Sequence, residues 1–570
     1  MDRDFLHHDA TSRFALHAMD GADAFAGQLP GGPHPAEVEL MGAIARHAGG
    51  ARIGCFAAGA DVGARCAAAL HALGHAGEVE WVAHGRPQDL EHFGTLLHPG
   101  AALDRLAWRR LAAGERRYSL CGQLHGSAGH DAMSAVAGLL VAPLRSWDAL
   151  VCSSRTARDA VRRVLERQAA YLTARLGAQR FELPQLPLIP LGIDTAALAV
   201  DPARRAAVRA RLGIGEQDVV FLFLGRLSCH AKAHPQQMFT ALERADRGNR
   251  QLHLILCAPG DDEATAAAFR EAAAQLCPSV RIVPLDGREP DNCSDARAAA
   301  DVFTSLADNL QESFGLAPLE AMAAGLPCVV SDWDGYRDTV RDGVDGYRIP
   351  TVMPMAGAGL DLAQRYDDGV DSFDTYCGHT SQAVALDGAA LALAYGRLIG
   401  DAALRRELGA NASRRAREEF DWAGMFARYR ALWSELDERR RADPALGPAL
   451  LQAGTPPAAP DRLDPFDLFA SYPSARITPA SLVELTPDAS LALVRDYRQL
   501  AINAFATASL PTLEEFGLIF GSIGSRPTQV DELLDALGPC DRPTLVRGLA
   551  WLCKMDLLRI VPPDLPVGEG

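Results

Sequence analysis

The 570-residue sequence predicts an α/β fold with two doubly wound, Rossmann-like halves and a smaller, mostly helical module behind them. Three observations carry this expectation. Short apolar runs alternate with longer helical patterns, as parallel sheets with crossover helices require. The runs fall into two series, with a break near residues 195–215. Six prolines in residues 441–465 (RADPALGPALLQAGTPPAAPDRLDP) then mark an extended linker before a region of different rhythm.

In the first series the expected strands are Arg52–Ala57, Val79–Val82, Ser119–Leu124, Ala149–Ser153 and Leu188–Leu191. In the second they are Val219–Leu224, Leu252–Cys257, Val280–Pro284, Asp301–Ser305, Cys328–Ser331 and Gly346–Pro350. Helical patterns such as Pro235–Ala245 and Glu263–Gln275 separate them. Beyond the linker, Thr528–Leu537 and Pro543–Met555 read as two short helices and Asp556–Val561 as a strand, a helix-turn-helix with a wing. The expected domains are 1–200, 201–420, a crossover helix at 421–440, a linker at 441–470 and a winged-helix-like module at 471–570. Ligands of doubly wound sheets sit at the carboxyl ends of the strands, here in a cleft between the halves.

Composition removes several function classes. Of the 56 Lys+Arg residues only Lys232 and Lys554 are lysine. Neither belongs to a Gly-Lys-Ser/Thr loop, which excludes P-loop nucleotide hydrolysis. A formal net charge of −16 offers no global attraction for nucleic acid or anionic membrane. Hydrophobic residues at 48% and charged residues at 22% read as soluble and globular. The N-terminus lacks a basic region followed by an apolar core, and no apolar run approaches the roughly 20 residues of a membrane span. No secretory signal or transmembrane segment is expected, and the expected location is cytoplasmic. The twelve cysteines form no C-x-x-C pair and the sixteen histidines no H-E-x-x-H, which argues against a structural zinc site.

The densest chemical signal runs from Asp301 to Gly346. A buried strand ends near Ser305, a polar loop follows, and a helix opens around Gly315–Pro318. Its first-turn N–H groups form an anion site, Pro318 is tolerated there, and Gly315 clears space for a ligand. Glu312 and Glu320 flank this turn. Eight helical residues would span roughly 12 Å, far enough to hold opposite ends of a ligand whose phosphates lie between them. Complementing the helix dipole is the other role open to the two carboxylates. A second signal is FLFLGRLSCHAKAHP at residues 221–235, where a strand ends at Gly225 and Arg226 and Lys232 follow on its exit loop. Asp332-Trp333-Asp334 spells a D-x-D but follows a strand, and is read as a turn with no metal requirement.

These segments resemble the retaining GT-B glycosyltransferases of the family 4 type (glycosyl transferases group 1). ESFGLAPLE is similar to that family's E-x7-E motif, and G-R-L-x4-K to its phosphate clamp. Gly335–Gly346 resembles the strand and turn that follow. Pro187–Asp194 resembles the junction before the second domain, with Leu191 where the family often has asparagine. Phe420-Asp421-Trp422 resembles the start of the crossover helix. The resemblance covers roughly residues 120–436.

It implies a nucleotide-diphosphate sugar as donor, of UDP or GDP type, with no tightly bound cofactor. Gly225, Arg226 and Lys232 would bind the diphosphate. Ser313, Phe314, Gly315 and Leu316 would offer backbone to phosphate or sugar. Glu320 would hydrogen-bond the ribose, and Glu312 would lie near the donor sugar. His125, in Gln-Leu-His-Gly at a strand end, matches the family's cleft histidine. Arg226, Lys232, His125 and Glu312 form the implied catalytic set. Gly27, Gly31 and Gly32 are candidates for a glycine-rich acceptor loop, with a surface turn as the other reading.

The implied reaction transfers the sugar to an acceptor with retention of configuration and without a metal. A sugar phosphorylase, a nucleotide-sugar epimerase and a non-catalytic scaffold of the same fold remain open at this point. The acceptor is not readable. Residues 351–381 are longer than expected after the motif and read as a lid, an acceptor element or an insertion. Residues 441–570 carry 16 acidic and 10 basic side chains. That balance disfavours nucleic acid and favours a protein-contact role, through oligomer formation or docking of a partner by strand addition.

Overall fold

The structure is a computed structural model that describes residues 13–18, 35–230, 232–259, 263–443, 459–460, 462–524, 526–538 and 540–561. The chain divides into two compact units, Met1–Pro460 and Asp461–Gly570.

The first unit holds two six-stranded sheets, each wholly parallel. The N-terminal sheet contains β1 (Phe14–His17), β2 (Ile53–Ala57), β3 (Val79–Ala83), β4 (Thr95–His98), β5 (Ser119–Leu124) and β6 (Ala149–Cys152), in the order β3-β2-β1-β4-β5-β6. The second contains β7 (Val219–Leu224), β8 (Leu252–Ala258), β9 (Val280–Asp286), β10 (Val302–Ser305), β11 (Cys328–Ser331) and β12 (Gly346–Ile349), in the order β12-β11-β10-β7-β8-β9. Read outward from its first strand, each sheet has the same doubly wound order. The chain reverses direction across the sheet between β1 and β4 in one half and between β7 and β10 in the other. In doubly wound sheets ligands bind at such switch points.

Every expected strand of the second series is present. The N-terminal half differs in three places. β1 and β4, the central pair, are four residues each and buried on both faces, so they carry no alternation to read. The expected strand Leu188–Leu191 is instead an extended segment touching β6 through isolated bridges at Gln185 and Leu188. Pro184, Pro187 and Pro190 remove an N–H at every third residue, so a continuous ladder cannot form.

Two chain crossings join the halves, and they are stitched to each other. Ile193 N–H donates to Phe420 O at 2.9 Å, and Trp422 N–H to Ile193 O at 3.1 Å. Thr195 Oγ1 donates to Asp421 Oδ2 at 2.5 Å, while Asp421 also caps the helix Trp422–Ala442 through Ala423 N–H. Gly192 is required here, because a Cβ would fall 2.6 Å from the Trp422 ring. The Trp422–Ala442 helix buries Met425, Phe426, Tyr429, Trp433 and Leu436 in the core under the N-terminal sheet. Trp433 stacks on Phe14 of β1 with ring centroids 4.4 Å apart. Tyr429 OH accepts from Gln123 Nε2 at 2.7 Å, which fixes the end of β5 two residues before His125.

The second unit is a three-stranded antiparallel sheet with helices on it. Its strands are β15 (Leu482–Leu485), β16 (Thr528–Gln529) and β17 (Leu558–Val561), ordered β16-β15-β17; the preceding pair, β13 (Thr351–Val352) and β14 (Ala385–Leu386), belongs to the first unit. Both expected helices are present, as Val530–Ala536 and Arg542–Lys554, and the expected strand is β17. The central strand β15 precedes all the helices that cover it. Val483, Phe516, Ile519, Leu545, Leu549 and Leu552 make the core. Inside the expected linker, Pro465–Leu468 is a helical turn with proline at its first position and Asp464 as its cap. No described helix in the chain is long and apolar enough to cross a membrane.

Candidate active site

The site begins at the switch point of the second sheet. β7 ends at Leu224, and Gly225 turns the chain with φ +140°. A Cβ on Gly225 would lie 3.2 Å from Lys232 Cε, so its absence lets the lysine fold back over the strand end. Lys232 Nζ donates to Glu312 Oε2 at 2.6 Å and lies 3.4 Å from Tyr336 OH. Tyr336 OH also reaches Glu312 Oε2 at 3.2 Å and Ser305 Oγ, at the end of β10, at 2.8 Å. Burial works against the Lys232 charge, but Glu312 outweighs it and holds the ammonium pKa above the ordinary lysine value. Arg226 is exposed and makes no ion pair among the described residues.

The loop after β10 braces this cation. Asn309 Nδ2 donates to Lys232 O at 2.7 Å, and His234 N–H donates to Asp308 Oδ2 at 3.1 Å. Asp308 Oδ1 is buried without a hydrogen-bond partner, and burial pushes the carboxyl pKa up to about 7. Asn309 Oδ1 also accepts from the Gln311 and Glu312 N–H groups, which sets the approach to Glu312.

The helix then opens at Leu316 and runs to Ala323. Gly315 takes φ +78° as its N-cap, and no side chain caps the turn. A Cβ at Gly315 would lie 2.3 Å from Tyr336. A Cβ there would also lie 3.2 Å from Glu312 Oε1, so the uncapped helix start stands beside the partner of Lys232. The Phe314 ring is buried in the core beside Phe420, so only its backbone is available to a ligand. Glu320 sits one turn further on, with Oε2 accepting from Arg297 Nη1 at 3.0 Å and the side chain 29% exposed. Burial raises its carboxyl pKa, and Arg297 opposes the shift.

The two halves touch at this site. Ser313 Oγ donates to His125 O at 2.8 Å, which sets His125, directly after β5, on the lip opposite the helix opening. Asp334, at φ +37°, accepts from Ser154 Oγ at 3.1 Å and from Thr156 Oγ1. Burial pushes its carboxyl up to about 6. Arg155 Nε donates to Asp338 Oδ1 at 2.6 Å. The D-x-D of residues 332–334 therefore forms a turn, and Asp334 is engaged by hydroxyls of the N-terminal half. Among the described residues, no group of three or more His, Cys, Asp or Glu is arranged to hold a metal ion.

On the N-terminal side, β1 and β4 both end in histidine. His17 Nδ1 and His98 Nδ1 are 2.9 Å apart, and the His84 ring lies 5.4 Å from that of His17. Burial lowers the His17 pKa to about 3 and the His98 pKa to about 4, so these two imidazoles are uncharged at neutral pH. Gly27, Gly31 and Gly32 lie outside the described residues.

The structure thus brings Gly225, Lys232, Glu312, Ser313, Gly315 and His125 to one place, with Glu320 a turn away. Ser313 spends its hydroxyl on the bond between the halves. The sequence reading missed Tyr336, Arg297, Asn309 and the histidine wall. Tyr336 lay within Gly335–Gly346, read only as a strand and turn, while Arg297 and Asn309 stand in no local pattern.

Residues 204–358 match the family model described as glycosyl transferases group 1. The match spans all six strands of the second sheet. Curated proteins similar to the chain include a D-inositol 3-phosphate glycosyltransferase of Xylanimonas cellulosilytica, 30% identical over 227 residues. That alignment covers 39% of this chain and 49% of the relative. A protein of the same name from Kineococcus radiotolerans is 30% identical over 291 residues, covering 48% of this chain and 60% of the relative. The chain therefore spans about half the length of these relatives. Among solved structures, Anabaena HepE in complex with UDP shares the fold at 18% identity and a TM-score of 0.50, covering 74% of this chain and 99% of that one. The family match carries Lys232, Glu312 and Glu320 inside it.

Proposed function

We propose that the chain is a retaining glycosyltransferase that moves a sugar from a nucleoside diphosphate sugar, of UDP or GDP type, to an acceptor hydroxyl. The observation that carries this reading is Lys232 held by Glu312 beside the uncapped helix start at Gly315. In the reaction the bond from the anomeric carbon to the leaving phosphate breaks, and a bond to the acceptor oxygen forms. Negative charge grows on the leaving diphosphate. Lys232, the exposed Arg226 and the N–H groups of residues 315–317 are positioned to stabilise it. The acceptor enters on the same face as the departing group, and the leaving phosphate oxygen takes its proton. No protein nucleophile is used, and no metal is required. Glu320 binds the ribose hydroxyls. His125 approaches the donor sugar from the opposite lip, and Glu312 lies near the same sugar.

Residues 1–200 serve as the acceptor side and 201–420 as the donor side. The C-terminal unit makes protein contacts, oligomeric or with a partner. Support for that role comes from Phe466, Tyr472, Ile502 and Phe505, each 69–85% exposed on an acidic module. The chain works in the cytoplasm.

Thermal shift and calorimetry with UDP, GDP, ADP and TDP, followed by turnover of the matching sugar donors with and without EDTA, test the reading. One nucleoside diphosphate is expected to bind in preference to the others, with turnover insensitive to EDTA. Failure of all four to bind would overturn it. Release of free phosphate from a sugar 1-phosphate in the presence of acceptor would reassign the site to a phosphorylase, and acceptor-free interconversion of the nucleotide sugar to an epimerase.

A further inference from the structure

The excursion between β12 and the rest of the second half has a structure of its own. It leaves along β13 and returns along β14, paired Thr351 to Leu386 and Val352 to Ala385, so its two ends are zipped together. Between them stand the helices Leu360–Asp367 and Phe373–Ser381. Asp371, buried at the bend, accepts from Arg365 Nη2 at 2.7 Å and lies 3.2 Å from His379 Nδ1. Ser372 caps the second helix through Thr375 N–H. These contacts make the pair of helices a braced element.

This element touches both loops that frame the site. On the donor side, Ser381 Oγ donates to Cys229 O at 3.3 Å. A Cβ on Gly378 would lie 2.9 Å from His230 Nδ1, so the second helix lies directly on the loop that carries Lys232. On the opposite side, Tyr366 is sandwiched between two rings. Its centroid lies 3.8 Å from that of His130, at 22°, and 4.8 Å from that of Tyr376, at 12°. The Phe373 ring lies 3.8 Å from where a Gly129 Cβ would stand. His130 and Gly129 belong to the N-terminal half, five and four residues beyond His125.

We propose that residues 351–386 form a clasp across the cleft, in which stacking of Tyr366 on His130 holds the Lys232 loop and the His125 loop together and keeps water from the donor sugar. Tyr366 is then a positioning residue. Its contact, with that of Phe373 on Gly129, adds to the Ser313, Asp334 and Asp338 contacts between the halves. Closing a site in this way favours transfer over hydrolysis, because water is the commonest competing acceptor. The shielding role rests on the glycosyl-transfer reading. The clasp itself rests only on the contacts.

The test compares the full chain with its Tyr366→Ala and Tyr366→Phe variants. Hydrogen–deuterium exchange without ligand is read at residues 126–138 and 226–234. Tyr366→Ala is expected to exchange faster in both segments, and Tyr366→Phe, which keeps the stacked ring, like the parent. Unchanged exchange in Tyr366→Ala would overturn the clasp. Release of nucleoside diphosphate from UDP-glucose and GDP-mannose is then measured without acceptor. It is expected to rise roughly 2- to 10-fold in Tyr366→Ala, the range an aromatic stack supplies. If exchange rises and the nucleotide binds but hydrolysis is unchanged, the shielding role is wrong. If the parent chain binds no nucleoside diphosphate, the transfer reading and the shielding role fall together, and the clasp stands or falls on exchange alone.

Discussion

Lys232 Nζ and Glu312 Oε2 lie 2.6 Å apart, although 80 residues separate them in the chain. The pair is nearly buried, with side-chain exposures of 13% and 11%. It joins the exit loop of β7 to the loop after β10, across the switch point of the second sheet. A single ion pair therefore positions the cation, the carboxylate and the start of the Leu316–Ala323 helix relative to one another.

Replacing Lys232 removes a charge-assisted bond worth about 1.5–3 kcal/mol. Lys232→Ala is expected to lower kcat/KM roughly 10- to 150-fold with whichever donor the chain turns over. Turnover like that of the parent would remove Lys232 from the chemistry. Glu312→Gln, which keeps the shape but drops the charge, is expected to be the milder change for nucleotide binding.

Glu320 and Arg297 make a second test. Glu320→Ala deletes the carboxylate and leaves Arg297 without it. Nucleoside diphosphate affinity, read by calorimetry, should fall about tenfold or more, as the loss of one charged hydrogen bond implies. Unchanged affinity would show that Glu320 serves only to neutralise Arg297.

Asp308 carries a pH signature. Its folded pKa is raised, to about 7, so between roughly pH 4 and 7 the folded chain binds a proton more tightly than the unfolded chain. Its contribution to stability is then greatest in acid and declines as pH rises through 7. The Tm of Asp308→Asn should gain on that of the parent between pH 5 and pH 8. A constant difference across that window would mean that Asp308 titrates normally.

Arg110 and Asp148 form a pair with no exposed side-chain surface, joined at 2.5 and 2.8 Å. Asp148 also accepts from the N–H groups of Leu120 and Arg145, which ties β5 to the segment before β6. Asp148→Ala leaves a buried guanidinium without its counter-ion and is expected to cost about 3–5 kcal/mol in chemical denaturation. Replacing both partners by apolar residues should cost less than Asp148→Ala alone.

Gly192 tests the stitched crossings. Gly192→Ala would place a methyl group against the Trp422 ring, where a Cβ falls at 2.6 Å. A loss of about 1–3 kcal/mol is expected for such overpacking. Thermal unfolding of the first unit should move down while the second unit keeps its own transition.

Where local pattern suffices, the sequence alone determined the outcome. The strands of the second sheet are buried apolar runs bounded by loops, and all six were legible, as were the Gly225–Lys232 and Glu312–Glu320 segments and the crossover at Phe420–Trp422. Each is written in contiguous residues, because a strand, an exit loop and a helix start are local events. The tertiary structure decided what lies between distant segments. It built the N-terminal switch point from β1 and β4, four residues each and almost wholly buried, too short to show a period. It joined Lys232 to Glu312 and Tyr336, and Glu320 to Arg297. It placed β15 at the centre of the last sheet, and it carried Tyr366 across to His130. Nothing in the neighbouring residues encodes those partners, because they are chosen by sheet order and packing, which bring together side chains that only the complete fold makes neighbours.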